Sequence, residues 1–495
     1  MRGRPCASTV RFGDAPAHTR NAQQPGRLDH MALPMESQGV RTDCKQLLDE
    51  VRRVAESGRT RDLQWRLDQL AGIERLCTER EGEIAAALAD DLGRSPVEAW
   101  LGDINATKTE ASFARKHLKK WMRHKRVSLP LTQLPGRGWV QYDPLGVVLV
   151  IGPWNYPLYL TLGPLVAAVA AGNCAVIKPS ELAPATSALL ARVVPEYLDA
   201  EAIRVVEGDG ETTQDLLLQG FDHALFTGGT EIGKKIMSTA ALTLTPVTLE
   251  LGGKSPVVVA ADADIDVAAR RIAWVKLLNS GQTCIAPDYV LADKSIADVL
   301  VNKIIQNIAE FRSAESEYSL PIVNARQFDR LVDLLTATQG TIVAGGHSNR
   351  ESLRIEPTVV VNPPDTDAVM ASEIFGPVLP VLAIDSIDAA VSQINAGPKP
   401  LALYIFTSSS QQARHLIDRI PSGGAVINHV ALHCLIPQLP FGGVGASGIG
   451  AYHGKWGFEA LSHRRAVLSK PAKPDLRLIY PPYTERTVKL LRRLL

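Results

Sequence analysis

The chain has 495 residues, enough for two or three domains of about 150 residues and a large buried core. Its 53 Lys and Arg against 52 Asp and Glu leave a formal net charge of +1, without the basic excess that binding nucleic acid requires. Hydrophobic residues at 45% and charged residues at 21% exclude the disordered and fibrous classes, and six cysteines at least 33 residues apart exclude a disulfide scaffold, a zinc site or a redox dithiol.

The cysteines read as free thiols of a reducing, cytoplasmic compartment. Residues 1–36 read as a disordered tail: arginines recur there without the apolar run of a secretory signal. From Gln46 to about Arg123 apolar residues recur at three and four spacing, a helical pattern. The stretch 128–144 then brings in Pro130, Pro135 and Pro144 with Trp139, Val140 and Tyr142, and reads as a hairpin leaving the domain body.

Five short runs follow, VVLVI (147–151), CAVIK (174–178), IRVVEG (203–208), HALFT (223–227) and PVTLELG (246–252), with helical segments between them. Strands apolar on both faces and joined by crossover helices predict a parallel sheet covered on both sides, a doubly wound nucleotide-type domain over 37–127 and 145–250. The most apolar segment, Val147 to Ile177, is broken by Pro153, Asn155, Pro157, Pro164 and Asn173, so it predicts buried core and no integral membrane segment. A second α/β alternation over 251–421 includes YVLAD, TVVV, PVLPVLAI and ALYIF. Residues 422–495 are rich in Gly and Pro, with no long periodic segment before the short basic amphipathic end TVKLLRRLL. A packed terminal turn, a membrane surface and a partner subunit all suit that end.

Gly443, Gly445 and Gly448 satisfy G-x-G-x-x-G, but no predicted strand precedes them and no acidic residue follows at the required distance, so they read as a tight glycine loop. Gly228, Gly229, Thr230 and Gly233 stand between a strand and a helix, where backbone N–H groups and the helix dipole suit an anion, although a plain strand-to-helix turn is equally compatible. Lys178 and Glu181 stand at a strand's carboxyl end and suit ribose hydroxyls, with a solvated edge as the ordinary alternative. Cys284, in NSGQTCIAP, lies in a loop whose N–H groups can lower a thiol pKa and stabilise an oxyanion. Glu250 is a single carboxylate in an apolar strand end, and Asn155 in PWNYP is an amide able to donate to an oxyanion. No metal-ligand spacing stands out.

The segments IGPWNYPLYLTLGPLVAAVAAGNCAVIKPSE, FTGGTEIGKK, TLELGGKSP, NSGQTCIAPDYVL, EIFGPVLPV and LPFGGVGASGIGAYHGKWGFEALSHRRAV together resemble the aldehyde dehydrogenase superfamily in order and spacing. The APDYVL and GAYHGKWGFEALSH segments and the terminal YPPYTE look like its class 3 branch, which includes fatty and aromatic aldehyde dehydrogenases.

The resemblance implies two doubly wound α/β domains, a Rossmann-like NAD domain and a catalytic domain, with a small β excursion for oligomerisation built from 128–144 and 422–495 into a homodimer. It implies oxidation of an aldehyde to a carboxylic acid with NAD, or also NADP. Cys284 corresponds to the nucleophile, Asn155 to the oxyanion donor and Glu250 to the base that activates water. Trp154, Lys178, Glu181 and the turn Gly228, Gly229, Thr230 and Gly233 match cofactor contacts, and Glu373 and Phe375 match the nicotinamide-ribose contacts. Gly229 departs from the serine common in the family at that place. A CoA-acylating enzyme would not need Glu250, and a papain-like hydrolase using Cys284 with His429 or His433 would leave the nucleotide-type domain unexplained.

Overall fold

The computed structural model of the protein describes residues 43–313, 320–475 and 479–494. The expected tail over 1–36, with Cys6 in it, lies outside the described residues. Helices Cys44–Ser57, Leu63–Glu79, Glu81–Leu92 and Asn105–Trp121 form the predicted helical lead-in.

A six-stranded sheet follows, in the spatial order Gly448–Ile449, Val247–Glu250, His223–Thr227, Val147–Ile151, Cys174–Lys178 and Ile203–Val205. All but the Gly448–Ile449 pairing are parallel. The three central strands bury every residue, because helices cover both faces. One of these helices, Tyr159–Ala171, is itself buried along its whole length, as its apolar sequence predicts. Parallel register sets Ile151 beside Lys178 and Thr227 beside Glu250, so the turns carrying Asn155, Glu181 and Gly228 all leave the carboxyl end of the sheet.

The second sheet has seven strands, ordered Thr341–Ala344, Thr358–Val361, Val378–Ile384, Tyr289–Asp293, Pro256–Val259, Ala402–Phe406 and Gly424–Ile427. Only the first pair is antiparallel. Its last strand lies beyond the expected boundary at 421.

A three-stranded antiparallel sheet joins Lys125–Val127 and Arg137–Pro144 to Ser462–Ser469. The predicted hairpin is present, but it starts three residues early, and the region after 422 contains a regular eight-residue strand. That strand escaped the sequence reading because most of its side chains are exposed and it has no apolar alternation. Residues 487–494 of the terminal TVKLLRRLL fall in a helix, Glu485–Leu494. Among the described residues no helix is long and apolar enough to cross a membrane.

Candidate active site

An apolar cavity of ≈ 200 Å³ opens at the strand ends, and Glu250, Thr283 and Cys284 share it with Tyr156, Tyr159, Trp274, Phe441 and Tyr452. Cys284 reaches it through an unusual bend. After the helix Ile265–Leu277 the chain takes left-handed conformations at Asn279 (φ 50°), Ser280 (φ 51°) and Gly281 (φ 70°). A Cβ on Gly281 would lie 2.3 Å from the Gly376 carbonyl, so only glycine fits there. The Gln282 side chain fixes the bend, donating to the Asn279 and Pro321 carbonyls at 3.1 and 3.2 Å and accepting from the Val323 N–H at 3.0 Å.

Cys284 is partly buried, and burial pushes its thiol well above the ordinary range, with the Glu373, Cys434 and Glu250 groups adding to the shift. This corrects the expectation of a lowered pKa: a backbone N–H does favour the thiolate, but desolvation outweighs it. The resting thiol is therefore protonated and needs an acceptor for its proton.

Glu250 ends its strand inside this wall. It is 3% exposed, neither carboxylate oxygen has a hydrogen-bond partner, and burial lifts its pKa well above the usual carboxylate range. An unpartnered buried carboxyl facing a nucleophile is costly unless a substrate or water uses it.

The buried Asn155 side chain donates through Nδ2 to the Gln282 carbonyl at 3.1 Å. A primary amide carries two N–H donors, so a second remains for an oxyanion.

The cofactor-type residues group at the sheet's carboxyl end. Lys178 Nζ is buried and lies 2.7 Å from Glu181 Oε2, whose side chain is 45% exposed. The Gly228 N–H bonds the Glu250 carbonyl at 3.0 Å, tying this turn to the end of the Glu250 strand. Gly229 caps the helix Thr230–Ala241 with no side-chain bond, and a Cβ there would meet nothing within 4 Å, so the helix N-terminus is open to an anion. Gly233 sits close against Leu251, where a Cβ would come 2.6 Å from Leu251 Cδ2. The Thr230 hydroxyl donates to the Ala446 carbonyl at 3.4 Å.

Glu373 lies over Gly252, where a Cβ would come 2.0 Å from Glu373 Oε2. Desolvation and the neighbouring Asp288 raise its carboxyl to about 8. Phe375 adopts a left-handed conformation (φ 50°), and its ring meets Trp154 edge-on at 5.5 Å.

Several residues of this site escaped the sequence reading. Lys254 donates to the Val369 and Ser372 carbonyls at 2.9 and 3.0 Å and pairs with Asp288, which accepts from the Ile374 N–H at 2.8 Å; Arg330 donates to the Ile374 carbonyl at 2.7 Å. These groups pin the Glu373–Phe375 loop. Cys434, the second thiol of the described residues at this place, also lines the Cys284 cavity. The G-x-G-x-x-G segment is a close-packed loop, in which Gly448 pairs with Glu250 and a Cβ on Gly443 would come 2.0 Å from the Ser447 carbonyl. Among the described residues neither histidine of the hydrolase reading is hydrogen-bonded to Cys284: His433 Nδ1 is buried without a hydrogen-bond partner, and the His429 ring bonds the Val430 backbone.

Comparison with known proteins agrees with this geometry. The model of the Aldehyde dehydrogenase family matches residues 33–467. The chain is 43% identical to Aldehyde dehydrogenase family 3 member H1 of Arabidopsis thaliana, covering 91% of this chain and 95% of that protein. It is 44% identical to Aldehyde dehydrogenase family 3 member A2 of Rattus norvegicus, covering 89% and 92% respectively. Among solved structures, the substrate-bound state of Staphylococcus aureus AldH superposes with a TM-score of 0.87 at 39% identity, covering 91% of this chain and 98% of that one. An indole-3-acetaldehyde dehydrogenase complexed with NAD+ gives a TM-score of 0.80 at 27% identity, covering 87% and 89%. With two mainly parallel sheets, a thiol and an unpartnered carboxylate on one cavity, and a family match over most of its length, the chain belongs to the aldehyde dehydrogenase family and is an oxidoreductase acting on the aldehyde group.

Proposed function

We propose that Cys284, Asn155 and Glu250 oxidise an aldehyde to its carboxylic acid with NAD as cofactor and NADP as an alternative. The observation that carries this reading is that Cys284 and the unpartnered Glu250 carboxylate open on one apolar cavity. As Cys284 Sγ bonds to the aldehyde carbon, the thiol proton passes to a solvent water, and the oxygen that gains the negative charge is held by the Asn155 amide and the Cys284 N–H. The nicotinamide, when bound, supplies the acceptor for the hydride that leaves that carbon. Glu250 then takes a proton from a water that adds to the thioester; the carbon–sulfur bond breaks, and Cys284 is regenerated as the acid leaves.

The residues present fit such a cofactor. Lys178 and Glu181 would hold the adenosine ribose, the open turn at Gly228 and Gly229 the pyrophosphate, and Glu373, Phe375 and Trp154 the nicotinamide ribose side. The six-stranded sheet is then the cofactor domain and the seven-stranded sheet the catalytic one. The exposed outer strand Ser462–Ser469 supports pairing with a second copy, hence a homodimer. A cytoplasmic setting suits a nucleophile that must stay reduced.

Initial rates with aliphatic, aromatic and small aldehydes against NAD and NADP test the reading. Reduction of cofactor by the wild type and none by Cys284→Ala is the expected result. Equal rates in the two would overturn it.

A further inference from the structure

We infer that Arg94 is a positioning residue for the reaction, setting the aim of the Asn155 amide; the inference rests on Asn155 being the oxyanion donor. The Arg94 and Asp103 side chains are 2% and 0% exposed and form an ion pair. Desolvating two charges is costly, and a pair that served packing alone could be replaced by apolar side chains without loss. The hydrogen bonds of this pair are directed at the catalytic turn. One Nη of Arg94 pairs with Asp103 while the other donates to the Asn155 carbonyl. Asp103 Oδ1 accepts from the N–H groups of Leu158 and Tyr159 at 3.1 and 2.9 Å. The pair therefore grips the turn 155–159 at both ends.

The nucleophile's loop holds the same turn from the other side. Asn279 Nδ2 donates to the Asn155 carbonyl at 3.1 Å, Asn155 Nδ2 to the Gln282 carbonyl at 3.1 Å, and the Tyr156 and Thr283 hydroxyls lie 3.0 Å apart. The Arg94 guanidinium lies 4.2 Å from the Tyr156 ring centroid, and a Cβ on Gly102 would come 2.9 Å from Tyr156 Cε1 and 3.5 Å from Arg94 Nη1, so the three are closely packed. The Asn155 carbonyl is thus fixed by two donors, one from Arg94 and one from the Cys284 loop, and the direction of its side chain follows from that backbone. An oxyanion donor acts only when preorganised, so loosening this grip should slow chemistry without removing the nucleophile.

Arg94→Met alone would strand the Asp103 charge and threaten folding, so the test uses Arg94→Met/Asp103→Leu, which removes both charges. The readout is the pre-steady-state burst of NADH at saturating aldehyde and NAD, beside the rate at which iodoacetamide alkylates Cys284, a reaction that develops no oxyanion. The expected result is a burst about 10- to 100-fold slower, with alkylation within about twofold of wild type. In an Asn155→Ala background the same pair of changes should add less than about a further twofold. Arg94→Lys, which keeps the cation but lacks the fork, is expected to lie between. A folded double variant with a wild-type burst overturns the inference, as does one whose defect multiplies with that of Asn155→Ala or slows alkylation equally. An Asn155→Ala enzyme with an intact burst would instead remove the oxyanion reading beneath it.

Discussion

Glu250 pairs in register with Gly448 at the antiparallel end of the six-stranded sheet, and no side chain or backbone group bonds its carboxylate. A Cβ on Gly448 would lie 2.4 Å from the Leu249 carbonyl, so this close pairing needs glycine at φ 155°. The pairing holds the strand that carries Glu250, while its carboxylate is left without a partner, as the proposed base role requires.

Glu250→Gln should therefore leave the first half of the reaction intact. The expected trace is one burst of NADH per active site followed by turnover reduced about 100-fold or more. The pH dependence has a definite sign. Burial raises the Glu250 pKa, so the carboxyl is protonated and unable to accept a proton at low pH, and thioester hydrolysis should quicken as pH rises through the raised value. Single-turnover acid release measured against pH should show that rise in the wild type and lose it in Glu250→Gln. Undiminished steady-state turnover in the variant would remove Glu250 from the base role.

The central strands and the site turns were legible in the sequence for one physical reason. Val147–Ile151, Cys174–Lys178, His223–Thr227, Tyr289–Asp293, Thr358–Val361 and Ala402–Phe406 occupy the segments read for them, because helices on both faces make them apolar throughout. The same rule cannot find Ser462–Ser469, whose partner Arg137–Pro144 is remote in sequence and whose side chains face outward. Arg94 was hidden too: its partners Asp103 and Asn155 are met only in space, although the following Ser95–Glu98 capping box is a readable helix start. The direction of the Cys284 shift was misjudged because a loop's N–H groups are visible in a sequence and the depth of a cavity is not.

Gly229→Ser should improve cofactor binding. The position has φ −71°, ordinary for serine, and open space around a Cβ. A hydroxyl there can cap the helix Thr230–Ala241 and donate to a pyrophosphate, so KM for NAD should fall about three- to tenfold. Steady-state rates against NAD at fixed aldehyde check this. An unchanged or raised KM would mean that the pyrophosphate does not sit at this turn.

Cofactor preference should turn on Glu181. Its half-exposed carboxylate, held by Lys178 at 2.7 Å, repels a 2′-phosphate and accepts from ribose hydroxyls. Glu181→Gln should raise the ratio of kcat/KM for NADP over NAD about three- to tenfold, and Lys178→Met should weaken both cofactors. A ratio that does not move would place the adenosine ribose elsewhere.

The competing hydrolase reading predicts that a histidine serves Cys284. His433 is half-buried and its pKa is pushed down to about 4 by desolvation, so it stays neutral, and it packs so closely on Gly424 that a Cβ there would lie 2.8 Å from its ring. His433→Ala is expected to keep NADH formation within about tenfold of wild type, the loss coming from the cavity left behind. Cys284→Ala should have none. The reverse pattern, measured as aldehyde-dependent NADH formation, would restore the hydrolase dyad.

Glu373 couples the cofactor loop to stability. Its carboxyl is lifted from 4.5 to about 8 by desolvation and Asp288, against the lowering effects of the Gly253 N–H, Lys254 and Arg330. A raised pKa in the folded state means that the native protein binds more protons than the unfolded chain between those values. The carboxyl's contribution is therefore most favourable below about pH 4.5 and is lost as pH rises toward about 8. Glu373→Gln removes that loss, so its Tm should exceed the wild-type value by about 2 °C or more at pH 8, with the gap closing toward pH 5. The same variant should bind NAD more weakly, since it gives up the carboxylate assigned to the nicotinamide ribose. A Tm difference that is flat with pH, followed by differential scanning fluorimetry from pH 5 to 9, would show that Glu373 is ionised in the fold at little cost.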